Sequence, residues 1–149
     1  MSNNKLHAIG IMSGTSLDGI DVSYVSSDGK SRFTHNCSSL FKFRESTRNS
    51  LYTLVNNFTK NKHSISNIID CENLVSEDYV NAIRKFIKSK NIKKVDLIAL
   101  HGQNIFHSTK KTSPFLAWIL VRPRLYLFNR ILFTTLYTCL LYTSPSPRD

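Results

Sequence analysis

Apolar and polar residues change rhythm several times along this chain. Residues 6–12 (LHAIGIM) are short and apolar, which predicts a strand, and residues 20–25 (IDVSYV) alternate apolar and polar, which predicts a second one. Between them, residues 13–19 (SGTSLDG) are dense in turn formers, and Asp18-Gly19 suggests a tight primed turn with positive φ. Ser27 to Lys30 supply the next turn, and residues 32–43 predict a third antiparallel strand ending at Phe41 and Phe43. The period then becomes helical. Residues 45–59 place Leu51, Leu54, Val55 and Phe58 on one face. A short helix is expected from Ser64 to Ile69. A longer one over 75–89 carries Val75, Tyr79, Ala82, Ile83, Phe86 and Ile87, with Lys85, Lys88 and Lys90 near its end, where the helix dipole favours cations. Residues 95–100 (VDLIAL) form a buried-type strand leading into His101-Gly102-Gln103-Asn104. Three strands, helices and a strand predict an α/β layer: an antiparallel meander, then a helical crossover to a further strand. Two polar loops, 13–19 and 101–107, would follow strands and meet at one sheet edge, where such sheets gather ligands.

Composition divides the chain near residue 112. All the lysines and all but one of the acidic residues lie before it; after it come four arginines and a single aspartate, Asp149. This tail is apolar without a period of two or 3.6. A membrane span would need about 20 mostly apolar residues, and Arg122, Pro123, Arg124 and Arg130 interrupt the run. The last eleven residues, 139–149, read as the translation of a transposase sequencing adapter, and 115–138 as the gene in a shifted frame. Residues 1–111 are therefore expected to form the body, and 112–149 no genuine domain.

With 20 Lys+Arg against 10 Asp+Glu, the chain is basic. The lysines are scattered, with no aromatic interleaving, and read as solvated helix faces and ends rather than a nucleic-acid or membrane surface. Cys37, Cys71 and Cys139 are far apart in sequence, suggesting neither a disulfide framework nor a metal site, and a reduced cytoplasmic setting is expected. The N-terminus has too short an apolar run for a signal peptide.

The segment Gly10 to Asp21 (GIMSGTSLDGID) carries the candidate chemistry. Glycines admit backbone N–H groups close to a phosphate. Hydroxyls donate to phosphate oxygens, and a carboxylate holds Mg²⁺ directly or through water. There is no GxxxxGK[ST] P-loop. The same residues also suit a plain hairpin turn, and chemistry alone leaves both readings open.

MSGTSLDGID resembles the N-terminal signature of the anhydro-N-acetylmuramic acid kinases, within the actin-like (ribonuclease H-like) sugar kinase and heat-shock ATPase superfamily. LHGQNIFH, residues 100–107, is similar to that family's HGQT-aromatic-His segment, with Asn104 where Thr is usual and Phe106 where Trp is frequent. The resemblance spans about residues 6–115. It implies the N-terminal part of an ATPase domain with a mixed sheet, using ATP and Mg²⁺. Gly14, Thr15, Ser16, Leu17, Asp18, Gly19, Ile20 and Asp21 would form the phosphate-binding loop, with Asp18 organising Mg²⁺. Ser13, His101 and Gln103 would lie by the substrate cleft; a strand-end His such as His101 or His107 serves equally as a structural hydrogen-bonder. The implied reaction opens 1,6-anhydro-N-acetylmuramic acid with water and phosphorylates it to N-acetylmuramic acid 6-phosphate in peptidoglycan recycling. Its general base, an Asp, lies downstream of these residues in the family, so the 149-residue chain alone is expected to be inactive. The expected partners are the sugar and ATP, with no nucleic acid or membrane; a homodimer is open to the intact protein. The rivals are a small basic protein with a membrane-surface tail and a related kinase of other sugar specificity.

Overall fold

A computed structural model describes residues 5–60, 62, 64–107, 117–120 and 132–135. The tail outside its two short strands, and the side chains of Phe58 and His107, lie outside the described residues. The meander is β1 (Leu6–Ser13), β2 (Ile20–Ser27) and β3 (Phe33–Phe41). Two helices follow, α1 (Glu45–Thr59) and α2 (Ile65–Ser89), then β4 (Leu97–His107). Two four-residue strands, β5 (Ala117–Leu120) and β6 (Leu132–Thr135), complete the described elements.

The sheet runs β3-β2-β1-β4, antiparallel within the meander and parallel between β1 and β4. Along the far edge of β4, β6 pairs in parallel with residues 97–100 and β5 antiparallel with residues 103–107. The result is a mixed α/β sheet with a helical crossover, as expected. Parallel β1 and β4 cannot be joined by a tight turn, so the chain between them must cross a sheet face, and α1 and α2 do so.

Both helices pack on one face. Ile9 and Ile11 of β1, Ile20 and Val22 of β2, and Ile98 and Leu100 of β4 are buried with Leu51 and Leu54 of α1 and Val75, Tyr79, Ile83 and Phe86 of α2. Each such side chain contributes about 1.5–3 kcal/mol by leaving water. The alternate residues face away from the helices, where Leu6, Met12, Phe33 and Leu40 remain exposed.

Three expectations change. The separate helices over 64–69 and 75–89 are one helix, because residues 70–74 contain no Gly or Pro and Cys71 continues the buried stripe. Ser64 caps its start by accepting the Asn67 N–H at 3.2 Å. It ends in a Schellman motif: Asn91 adopts φ 51°, and the N–H groups of Ile92 and Asn91 donate to the Ile87 and Lys88 carbonyls. Residues 101–107 are strand rather than loop: Gln103 pairs with Ser13 of β1, and residues 103–107 pair with β5. The 13–19 turn is a longer loop than a two-residue hairpin. Its positive φ falls at Leu17 (58°), not at Asp18-Gly19, and the Leu17 N–H donates to the Gly14 carbonyl at 3.3 Å.

The β2–β3 turn depends on one carboxylate. Asp28 Oδ1 accepts the N–H groups of Lys30, Ser31 and Arg32 at 2.9, 3.1 and 2.9 Å. These bonds, that from Arg32 foremost, hold its pKa below the ordinary carboxylate value. A lowered folded pKa contributes stability that is present above the ordinary value and lost as pH falls through the folded one. Asp28→Ala should therefore melt below wild type at neutral pH. The gap should narrow and close in acid. A gap unchanged by pH would show that the charge is not what holds the turn.

Candidate functional site

The loop between β1 and β2 is anchored from below and open above. Leu17 is 2% exposed and Ile20 is 1% exposed, so both side chains enter the core. Gly19 is buried as well: a Cβ there would lie 2.6 Å from the Phe41 carbonyl oxygen and 2.9 Å from Leu40 Cδ1. Gly19 is thus demanded by close approach to β3 and not by backbone conformation. Gly14 differs, since its nearest obstacle is the Ser16 hydroxyl at 3.4 Å. Thr15, Ser16, Asp18 and Asp21 are exposed. No side chain of these four makes a hydrogen bond or ion pair with another described residue. The hydroxyls of Thr15 and Ser16 and the carboxylate of Asp18 therefore stand free on a loop whose apolar residues are fixed, with the Asp21 carboxylate at the start of β2, which follows.

Ser13 and Gln103 lie under this loop. Ser13 is 2% exposed, and its hydroxyl forms a hydrogen bond with the Tyr79 hydroxyl of α2. Burial pushes the Tyr79 pKa well above the ordinary phenol value, with the Ser13 bond opposing it, so the phenol remains neutral. Gln103 is fully buried, and its Nε2 donates to the Gly14 carbonyl at 3.1 Å and the Asn104 carbonyl at 2.9 Å. Two carbonyl partners fix which end of the amide is nitrogen.

A bulge directs Gln103 to this position. Ile11 pairs with Leu100, but Ser13 pairs with Gln103, so β4 carries one extra residue there, and Gly102 takes φ 81°. Regular pairing would put Gly102 opposite Ser13 and turn Gln103 to the other face. His101 is half-buried, with Nδ1 3.2 Å from the Gly102 carbonyl oxygen. It lies at the bulge facing Met12, whose other neighbour is Asp21. The expected site residues therefore divide. Ser13, Gln103, Leu17 and Ile20 are buried, while Thr15, Ser16, Asp18 and Asp21 are free at the surface. Tyr79, which connects α2 to the loop, carries no signal in the sequence beyond a core position on a helix.

The site can be tested for a phosphate and its cation. Residues 10–24 contain no Lys or Arg, so phosphate charge would have to be met by backbone N–H groups and a metal. No cluster of three or more metal-ligating side chains exists among the described residues. Mg²⁺ on a nucleotide keeps several waters and takes one or two carboxylates, so the unpaired Asp18 and Asp21 suit it. No described helix is long and apolar enough to cross a membrane, and Cys37 and Cys71 are free thiols.

Comparison with known proteins matches residues 6–123 to the family described as anhydro-N-acetylmuramic acid kinase. That span runs past residue 112, into the segment set apart by composition. Curated relatives carry the same description. The chain is 31% identical over 109 residues to that of Sulfurimonas denitrificans, covering 72% of this chain and 28% of the relative. It is 28% identical over 111 residues to that of Bradyrhizobium diazoefficiens, covering 71% and 30%. For the Pelagibacter ubique protein the figures are 28% over 107 residues, 70% and 28%. The chain thus spans less than a third of the length of these relatives.

Proposed function

The chain belongs to the anhydro-N-acetylmuramic acid kinase family, and on that premise we propose that its protein phosphorylates 1,6-anhydro-N-acetylmuramic acid with ATP, in the cytoplasm, as a step in peptidoglycan recycling. Water would add at the anhydro carbon, and the released 6-oxygen would take the terminal phosphoryl group, giving N-acetylmuramic acid 6-phosphate and ADP. The observation that carries the reading is the loop 14–21, whose free hydroxyls and carboxylates stand above a buried base.

Thr15 and Ser16 would donate hydroxyl hydrogens to phosphate oxygens, and the loop's backbone N–H groups would join them. Asp18 would hold Mg²⁺, directly or through water. Without the cation the Asp18 carboxylate would repel a triphosphate; with it, Asp18 would help to orient the complex. Mg²⁺ supplies neutralisation of charge on the phosphates, and phosphoryl transfer depends chiefly on that and on positioning. Ser13 and Gln103 serve from below.

The test uses protein expressed from the complete reading frame that contains this segment. It is incubated with the anhydro sugar, ATP and Mg²⁺, and the sugar phosphate is sought by mass spectrometry. Absence of an ATP-dependent product would refute the assignment, and turnover of a different sugar would move it to a related kinase. Asp18→Asn should lower kcat/KM by about 100-fold, as expected for loss of one strong electrostatic interaction that supports the transfer through the cation, and should raise the Mg²⁺ concentration needed for half-maximal rate. An unchanged Mg²⁺ requirement would remove Asp18 from the metal's environment.

A further inference from the structure

Two buried polar side chains from separate elements converge on the residues where β1 becomes the loop. Tyr79, in the middle of α2, meets the Ser13 hydroxyl. Gln103, brought inward by the β4 bulge, donates to the Gly14 carbonyl. That carbonyl also accepts the Leu17 N–H, so the Gln103 amide bonds the same oxygen that closes the loop's first turn. Both side chains are almost wholly buried, at 2% and 0% exposure, and neither is open to a ligand. Burial of so much polarity is unfavourable unless the groups are paired; the Tyr79 hydroxyl and the Gln103 amide nitrogen are paired, while Gln103 Oε1 has no partner among the described residues, and the pairs join α2 and β4 to a loop whose outer side is free.

We propose that Tyr79 and Gln103 are positioning residues: they hold loop 14–19 from its buried side, Tyr79 through Ser13 and Gln103 through the Gly14 carbonyl, and so set the conformation that the exposed Thr15, Ser16 and Asp18 present to a nucleotide. Neither touches the reacting groups. Tyr79 transmits the position of α2 to the loop; Gln103 transmits that of β4. A cradle for phosphate works only if its N–H groups and hydroxyls are held in place before the ligand arrives, because ordering a loose loop subtracts from binding. The nucleotide part of this inference rests on the kinase reading, whereas the hold on the loop does not.

The variants are Tyr79→Phe, which keeps the ring and removes one hydroxyl, and Gln103→Met, which keeps the length and removes both donors. They are made in protein from the complete reading frame and compared with Val75→Ala, a core truncation elsewhere on α2. Amide hydrogen exchange of residues 14–19 is followed without ligand, and KM for ATP-Mg²⁺ and kcat are measured separately. Each variant should speed loop exchange by about tenfold, as expected for the loss of a buried hydrogen bond. KM should rise by a similar factor, with kcat less affected. Ser13→Ala added to Tyr79→Phe should change the exchange no further, because the two hydroxyls form one link. Val75→Ala should lower the melting temperature while leaving loop exchange and KM near wild type. Loop exchange at the wild-type rate in both variants, or raised no more than in Val75→Ala, would overturn the proposal. So would faster exchange with KM unchanged. A protein that used no ATP would sink the kinase reading, and the ligand-free exchange would still decide whether Tyr79 and Gln103 hold the loop.

Discussion

Gly19→Ala should destabilise the protein by about 2–3 kcal/mol, at the upper end of what overpacking costs in a filled interior. The added methyl group would sit 2.6 Å from the Phe41 carbonyl oxygen and 2.9 Å from Leu40 Cδ1. Leucine's methyl can turn aside, but a backbone carbonyl cannot. Phe41 pairs with Ile20 in the sheet and packs edge-on against Phe86 at a centroid distance of 6.4 Å, so moving it disturbs the β2–β3 ladder and the α2 contact together. Relief on the other side requires Gly19 to withdraw from β3, which shifts Asp18 and the outer half of the loop. Activity should therefore fall along with stability. Gly14→Ala is the control: its nearest neighbour is the flexible Ser16 hydroxyl at 3.4 Å, and a loss below about 1 kcal/mol is expected. Denaturant unfolding of both variants checks the pair. Equal losses at the two glycines would show that loop flexibility, and not the contact with β3, sets the requirement.

Asp78→Ala should cost about 2–3 kcal/mol, for a reason specific to this fold. Asp78 is 5% exposed on α2, and its Oδ2 accepts the Arg44 backbone N–H at 3.0 Å. Its Oδ1 accepts a charged hydrogen bond from Arg44 Nε, while Arg44 also reaches Glu77 at 2.9 Å. Arg44 stands immediately before α1 and accepts the Arg48 N–H through its carbonyl. A carboxylate from one helix therefore caps the start of the other. Removal would leave the Arg44 N–H without its partner, but the guanidinium is 45% exposed and would keep Glu77 and water. The larger loss known for breaking fully buried ion pairs does not apply, since the remaining charge is not stranded. Asp78→Asn keeps an acceptor for the N–H and should lose less than Asp78→Ala. The Arg44 pKa is raised, chiefly by the Glu77 hydrogen bond, and so the arginine stays charged in both variants. Melting curves within about 0.5 kcal/mol of wild type for both would mean that α1 begins correctly without this cap.

Much of this architecture is legible in the residues themselves. Strand 6–12 follows from a short apolar run, strand 20–25 from a period of two and the helix over 45–59 from a period of 3.6, because such patterns bury one face whatever they pack against. Val75, Tyr79, Ala82, Ile83 and Phe86 are core residues as their spacing requires. The loop's chemistry is also local, since the hydroxyls and carboxylates of Thr15, Ser16 and Asp18 are consecutive or nearly so. Residues 101–107 were illegible for a physical reason. His-Gly-Gln-Asn is rich in loop formers, and only pairing to β1 on one side and β5 on the other makes it strand.

What the sequence by itself determined is therefore the kind of each main element, the apolar stripe it buries and the presence of a loop dense in hydroxyls and carboxylates. Those depend on side chains within a few positions of one another. Only the tertiary structure decided that Gln103 faces inward, that Tyr79 reaches Ser13, that Asp78 caps a helix at Arg44, 34 residues earlier, and that Gly19 is required by the carbonyl of Phe41. Each of these joins residues far apart in the chain through a bulge, a crossover or a close approach. A one-residue change of register would abolish the Gln103 contact while leaving every local pattern as it is.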